Sequence, residues 1–477
     1  MTDWEPLDIS TQWLPALPKL PFPKNPQSNM NTDLIIIGSG PGGYRAAEHA
    51  AINGLKVVIA ERAEAGGTCL NRGCIPTKAY ARNAEIIDTL RHGADFGLDG
   101  LGADFDFARA ASRKDNIVAT LRSGIETLLS APGITLARGE ARFKDAHTVE
   151  VDGEEYTAPN IIIATGSVPK TLPIEGADDS ATVWTSDQML AATALPRRVC
   201  IVGAGVIGME FACILSSFGC EVTVVEFLKE CLPMLDGDVA KRLRKTVEKR
   251  GVKFFMQSAV EAVRGGSVLF SRKGKQEAVE ADRVLMAVGR TPAIDGLNLE
   301  AAGVEYSPKG IAVDGNLQTN VPGIYAIGDA NGRQMLAHAA TMQGIRAVNH
   351  ILGRADSIRL DIMPSAIFTH PEAACVGLTE DGCKAQGIAC RTARANYRAN
   401  GKALAMGEAE GMVKMLADER GRIIGCHAYG AHSADIVQEV SAQMCRDTTA
   451  AQLADITHIH PTLSEMAQEC AAALAAG

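Results

Sequence analysis

The sequence predicts an α/β protein with two Rossmann-like dinucleotide-binding domains and a C-terminal α+β domain. Three observations carry this expectation. A GxGxxG loop occurs twice, each time between a short apolar run and a helical segment. Each copy continues into a second apolar run that ends in an acidic residue. Beyond about residue 362 no further phosphate loop occurs, and mixed strands and helices follow. A chain of 477 residues also exceeds what one hydrophobic core serves, so ligand sites between domains are expected.

Residues 1–30 form an arm containing Pro6, Pro15, Pro18, Pro21, Pro23 and Pro26, which prevents a long helix. Its Trp4, Trp13 and Phe22 suit a segment lying along a surface groove; the alternative is a solvated tail. Order starts at LIIIG, a run suited to a strand buried on both faces of a parallel sheet. The loop GSGPGG supplies Gly38, Gly40 and Gly43 for a tight turn, close approach of a pyrophosphate to backbone N–H groups, and close helix–strand packing. KVVIAE then ends at Glu61, placed to accept hydrogen bonds from a ribose diol. RVCIVGAGVIGME repeats the pattern with Gly203, Gly205 and Gly208, and EVTVVE ends at Glu226. One such loop is a weak signal, whereas two in matching context imply two bound dinucleotides. IIIATGSVP at 161–169 and VLMAVGRTP at 284–292 mark the points where the chain changes domain. The expected order is 31–165 for the first part of the first nucleotide domain, 166–293 for the second domain, 294–361 for the return to the first, and 362–477 for the last. IYAIGDA adds a buried strand with Asp329 at its end, where a ligand polar group could be met.

Composition narrows the partners. Hydrophobic residues make up 46% and charged residues 22%, which suits a soluble globular protein. A net charge of −9 disfavours nucleic acid and anionic membranes, which demand clustered Lys and Arg, and leaves a basic protein partner open. No apolar run reaches bilayer length, and MTDWEPLDIS resembles neither a secretory nor a transit segment, so a cytoplasmic location is expected. Most of the twelve cysteines should be buried thiols of a reducing compartment, and their spacing suggests no metal site.

Cys69 and Cys74, in GGTCLNRGCIPTKAY, stand apart because they directly follow a dinucleotide unit. In a regular helix, residues five apart are separated by about 7.5 Å of rise alone, more than a disulfide spans. A bridge therefore requires a distorted turn, which Asn71 and Gly73 allow. A helix N-terminus at Thr68–Cys69 would favour the reactive thiolate there.

This segment closely resembles the redox-active disulfide segment of the pyridine nucleotide-disulfide oxidoreductases, and HIHPTLSE at 458–465 resembles the C-terminal signature of their dihydrolipoamide dehydrogenase branch. The likeness covers about residues 32–477. It implies that Cys69 exchanges with a substrate dithiol and Cys74 contacts the flavin of FAD. It also implies that Lys78 lies near the flavin, paired with Glu210 of the second nucleotide loop. Further flavin-side positions carried over are Ala141, Thr165, Gly166, Ser167, Asp329 and Met335, Leu336, Ala337 and His338; Val260 and Gly289 match the NAD side. The last domain becomes a dimerisation domain, and the protein a homodimer.

His460 precedes Pro461, which pushes its backbone out of the helical region. Read without the resemblance, Thr462 and Glu465 form a T-x-x-E capping box. The resemblance instead makes Glu465 the orienter of the His460 imidazole, which takes a proton from the substrate thiol, a task suited to a group titrating near neutrality. His458, His427 and His432 are taken as structural.

NAD is expected rather than NADP, because Glu226 would accept from a ribose 2′-OH and repel a 2′-phosphate. The expected reaction is oxidation of protein-bound dihydrolipoamide, with a lipoyl-bearing acyltransferase core or a lipoyl carrier protein as partner. The rivals are a glutathione-type reductase, a mercuric reductase, which typically adds a C-terminal cysteine pair where this chain has only Cys470, and a subunit serving mainly in complex assembly. Arg72 and Tyr80 depart from the family's commoner residues.

Overall fold

The computed structural model describes residues 32–101 and 104–476. The proline-rich arm, 1–30, lies outside the described residues.

The first sheet is parallel throughout, ordered Ile324–Ala326, Asn160–Ile163, Leu34–Ile37, Val57–Glu61, Ile134–Arg138. The LIII run explains itself: Leu34 and Ile36 enter one core cluster and Ile35 and Ile37 another, so both faces are buried as a parallel strand requires. Helix α1 (Pro41–Ile52) crosses to the second strand, and α2 (Gly67–Arg72), α3 (Cys74–Arg91) and α4 (Phe107–Leu129) follow it. The strand Asn160–Ile163 then leads out of the domain, and Ser167–Pro169 pairs antiparallel with the returning Arg290–Pro292.

The second domain repeats this plan. Short helix α5 (Ser186–Leu190) precedes the strand Arg198–Val202, α6 (Val206–Ser217) crosses over, and α7 (Gly237–Lys249) follows. Its parallel sheet runs Lys253–Phe255, Glu221–Val225, Arg198–Val202, Arg283–Met286, Val183–Trp184. The two phosphate loops coincide in local geometry. A Cβ on Gly43 would lie 1.9 Å from the Gly38 carbonyl oxygen, and one on Gly208 would lie 2.0 Å from that of Gly203. Only glycine lets helix and strand approach so closely. After the return to the first domain, α8 (Ala337–Ile351) packs on α1, with Gly42 and Gly344 in close backbone contact.

The last domain is a five-stranded antiparallel sheet ordered Ser365–Ile367, Ala373–Gly377, Ile423–Tyr429, Met412–Asp418, Cys390–Asn396. It carries α9 (Glu380–Gln386), α10 (Gly401–Ala405), α11 (Ser433–Met444), α12 (Ala450–Ala454) and α13 (Glu465–Ala476). Lys414 ties it to the second domain. Its side chain is 1% exposed, and its Nζ donates to Asp236 at 2.7 Å, Glu380 at 2.8 Å and Asp238 at 3.3 Å. Asp236 also accepts from the Glu380 N–H, and its own N–H donates to Nδ1 of the buried His427.

Replacing Lys414 by Met would strand two or three acids around an empty position, so a loss of about 3–5 kcal/mol in denaturant unfolding is expected, as for a broken buried ion pair. Arg394 and then Lys414 hold Asp238 below its ordinary value of 3.8, and Lys414 and Lys384 hold Glu380 below 4.5. Carboxyls depressed on folding stabilise above their unfolded pKa, so this contribution is complete above those values and disappears as acidification passes the folded ones.

Candidate active site

The first nucleotide unit, the disulfide, the first turns of α6 and the return segment face a single cavity of ≈ 1060 Å³, large for one ligand pocket, whereas Gly203, Gly205, Gly208 and Glu226 of the second unit are not among its lining residues. Gly38, Gly40 and the N-terminus of α1 form one wall, and no side chain caps that helix, leaving its first N–H groups for an anion. Glu61 is fixed from both sides. One oxygen accepts from the N–H and Oγ of Ser39 at 2.8 and 2.7 Å, and the other from the Ala63 N–H at 2.8 Å. Glu226 repeats the arrangement with the N–H groups of Ala204 and Leu228, at 2.5 and 2.6 Å. Ala204 lies between Gly203 and Gly205, α6 also starts without a side-chain cap, and a Cβ at Gly205 would meet nothing within 4 Å. Val260, on the strand Ser258–Arg264, packs partly buried on this domain's core; the Ser258 N–H donates to the Glu226 carbonyl. Gly289, with φ +104°, leads directly into the interdomain strand.

Cys69 and Cys74 are disulfide-bonded, with Cα atoms 4.7 Å apart. The helix breaks where they need it to: α2 ends at Arg72, α3 begins at Cys74, and Gly73 lies between. A Cβ on Gly73 would lie 2.9 Å from the Thr68 carbonyl oxygen. Asn71, expected to help distort the turn, instead anchors it. Its Nδ2 donates to the carbonyls of Ala65 and Gly67, and its Oδ1 accepts from Arg122 on α4.

Behind the disulfide, one turn along α3, Lys78 donates to both oxygens of Glu210 at 2.9 Å. Glu210 is 4% exposed and also accepts from the Phe368 N–H at 2.9 Å. The sequence assigned Glu210 to the second nucleotide; its oxygens are committed to Lys78 and Phe368, and its side chain lines the shared cavity. On the opposite wall Arg290 donates to Oγ and the carbonyl of Ser167, each at 2.7 Å, and the Ser167 hydroxyl donates to Asp329 at 2.5 Å. Burial pushes the Asp329 carboxyl up, opposed by Ser167 and then Arg290. Ala141, Gly166, Met335, Leu336, Ala337 and His338 line the same cavity, the last at the start of α8 with its Nε2 against the Pro364 carbonyl. Thr165 lines it too, and its buried hydroxyl has no partner among the described residues. The uncapped start of α1, with the close backbone approach that Gly38 and Gly43 allow, makes its wall of the cavity fit the pyrophosphate of a flavin dinucleotide. Arg290 and the Phe368 N–H escaped the sequence reading. Arg290 directly follows Gly289, but only the antiparallel strand pair carries it to Ser167.

His460 and Glu465 are joined at 2.8 Å between Nδ1 and Oε1. The capping-box reading of Thr462 and Glu465 is corrected. Glu465 is itself the first residue of α13, and the Thr462 hydroxyl donates to the Ile459 carbonyl instead of receiving a helix N–H. Only the reciprocal half exists, Thr462 N–H to Glu465 at 2.8 Å. That bond and then His460 hold the Glu465 carboxyl below its usual value. The His460 side chain is 81% exposed and does not line the disulfide cavity of its own chain.

A dinucleotide fold used twice around one disulfide defines a class of flavin-dependent disulfide reductases, and the chain belongs to the pyridine nucleotide-disulphide oxidoreductase family. The family's sequence model matches residues 32–344, and that of its dimerisation domain residues 363–471. Within the family, the dihydrolipoyl dehydrogenase of Mycoplasma pneumoniae is 38% identical over 456 residues, covering 93% of this chain and 99% of the relative. That of Thermus scotoductus is 38% identical over 453 residues, 93% and 97% of the two chains. Among solved structures, LpdA from Mycobacterium tuberculosis matches with a TM-score of 0.85 at 29% identity, covering 93% of this chain and 99% of that one. The HOCl-induced flavoprotein disulfide reductase RclA from Escherichia coli matches with 0.82 at 28%, covering 92% and 99%.

Proposed function

We propose that the protein is an NAD-dependent dihydrolipoyl dehydrogenase that oxidises protein-bound dihydrolipoamide. The observation that carries this reading is a disulfide set in one cavity with the first dinucleotide loop and with the start of α6, which follows the second loop, in a chain that also holds a paired His460 and Glu465. Residues 31–165 and 294–361 are assigned to the FAD domain, 166–293 to the NAD domain and 362–477 to the dimerisation domain. The thiol chemistry belongs to the protein. His460, oriented by Glu465, takes the proton of one dihydrolipoamide thiol, and the resulting thiolate attacks Cys69. The Cys69–Cys74 bond breaks and Cys74 leaves as a thiolate. The second substrate thiol then displaces Cys69, closing lipoamide and leaving both protein cysteines reduced. FAD, held by the α1 N-terminus, Glu61, Thr165 and Asp329, supplies the route for two electrons to NAD+. Lys78 and Glu210 keep a matched charge pair against that site.

An exposed His460 outside its own chain's cavity supports a homodimer in which each chain serves the disulfide of the other, consistent with the dimerisation domain. The Glu226 carboxylate, held rigidly at its strand end, favours NAD over NADP. The proposed partner is a lipoyl-bearing acyltransferase core or lipoyl carrier protein. Among the described residues ten cysteines are free, which supports a reducing, cytoplasmic location, and no described helix is long and apolar enough to cross a membrane. Cys470 is fully buried, which disfavours a C-terminal thiol relay of the mercuric reductase kind.

Initial rates with dihydrolipoamide and NAD+, against NADP+ and against glutathione, test the assignment: turnover confined to the first pair is expected, and preference for NADP+ or glutathione would sink it. His460→Gln should lower kcat by about 10²–10⁴ while leaving flavin absorbance unchanged. Glu226→Gln keeps an acceptor and removes the charge, so the ratio of kcat/KM for NAD+ over NADP+ should fall about tenfold, the scale of one charged hydrogen bond.

A further inference from the structure

The loop that carries His460 runs from α12 to α13, and it holds a second histidine, His458, that takes no part in the thiol chemistry described above. Its side chain is 5% exposed, against 81% for that of His460. Both of its ring nitrogens are engaged within the protein. Nε2 bonds the Glu439 carboxylate on α11 at 2.7 Å, and Nδ1 bonds the Ile456 carbonyl at 2.9 Å. No nitrogen is left for a substrate. His460 is the reverse case: among the described residues only its Nδ1 is bonded, to Glu465, and Nε2 is free to take a proton.

The Ile456 carbonyl accepts a second bond, from Nε2 of Gln468 at 2.7 Å, and the same amide reaches the Ala454 carbonyl at 3.1 Å. Gln468 follows Glu465 by three residues, about one turn along α13. One carbonyl thus gathers a bond from the loop that carries His460 and a bond from the helix that carries Glu465. The other end of the tie is Glu439 on α11, a helix whose Ile436, Val437 and Val440 are set in the core of the last domain.

We infer that His458 is a positioning residue for the proton transfer: bonded to Glu439 and the Ile456 carbonyl, it clamps the loop so that the His460 imidazole stands correctly against Glu465 and the substrate thiol. The inference rests on the reading of His460 as the base. Burial does not hold that base in place, since its ring is exposed and Ile459 before it is 80% exposed. A catalytic group misplaced by about 1 Å can lose on the order of 10²-fold in rate. His458 never meets the substrate, so its effect on turnover passes through His460 alone.

The test places His458→Leu in the FAD-loaded, full-length enzyme and in its His460→Gln variant. Leucine fills the site without either bond, while Ile456 keeps its bond from Gln468. The readouts are kcat and KM for dihydrolipoamide with NAD+, and the rate at which NADH reduces ferricyanide, a reaction that needs no thiol base. In the parent, kcat should fall about ten- to a hundredfold, with KM and the ferricyanide rate within about twofold. In His460→Gln the same substitution should cost less than about twofold, because no base remains to be positioned. Should the buried change prevent folding, Glu439→Ala, at a side chain 28% exposed, releases the ring from the outer side and should give the same pattern, whereas Glu439→Gln keeps an acceptor and should retain most of the activity. An undiminished kcat, an equal loss in both backgrounds, or a parallel fall in the ferricyanide rate would overturn the clamp. A parent enzyme that fails to turn over dihydrolipoamide would overturn the functional reading itself, and the clamp's catalytic role with it.

Discussion

The constraint on which the site depends is the interruption of one helix at Gly73. Continuous helix from Gly67 to Arg91 would hold Cys69 and Cys74 too far apart to bond. The break brings their Cα atoms to 4.7 Å, and it is possible because residue 73 has no Cβ to press on the Thr68 carbonyl. Asn71 and Arg122 brace the first half against α4, while the Thr77 hydroxyl, bonded to the Gly73 carbonyl, secures the start of the second. The disulfide is therefore presented at a helix start, where thiolate is favoured.

From that point the geometry radiates outward. One turn along α3, Lys78 meets Glu210 on α6, so the same helix that carries the disulfide also joins the two nucleotide domains. Arg290, Ser167 and Asp329 close the other wall through the antiparallel strand pair. Lys414 and its three acids then lock the last domain to the second. The contacts of Lys78 with Glu210, Ser167 with Asp329 and Lys414 with Asp236 each cross between domains.

Much of this was legible from residues close in sequence. Gly38 and Gly203 carry positive φ and Gly43 and Gly208 leave no room for a Cβ, and each loop repeats with its acid at the same distance. The i, i+5 cysteines with glycine between them announce a broken helix. What was not legible joins distant positions: Arg290 to Ser167, Phe368 to Glu210, Lys414 to Asp236. No local pattern encodes such pairs, since the folded sheet order alone decides them. The Thr462–Glu465 motif shows the converse failure, a local rule outcompeted when His460 claims one Glu465 oxygen and the Thr462 hydroxyl turns back to Ile459. Tyr80 finds its place in an aromatic cluster with Phe107 and Phe218, its hydroxyl without a partner among the described residues; nothing in the structure explains Arg72 in place of a smaller residue.

The central claim is that the Cys69–Cys74 disulfide takes the substrate's electrons. Anaerobic addition of one equivalent of dihydrolipoamide to the FAD-loaded protein without NAD+, followed by alkylation and peptide mapping, measures this directly. Two new thiols per chain, located at Cys69 and Cys74, are the predicted result. Lipoamide formed with both cysteines still bonded would contradict the account.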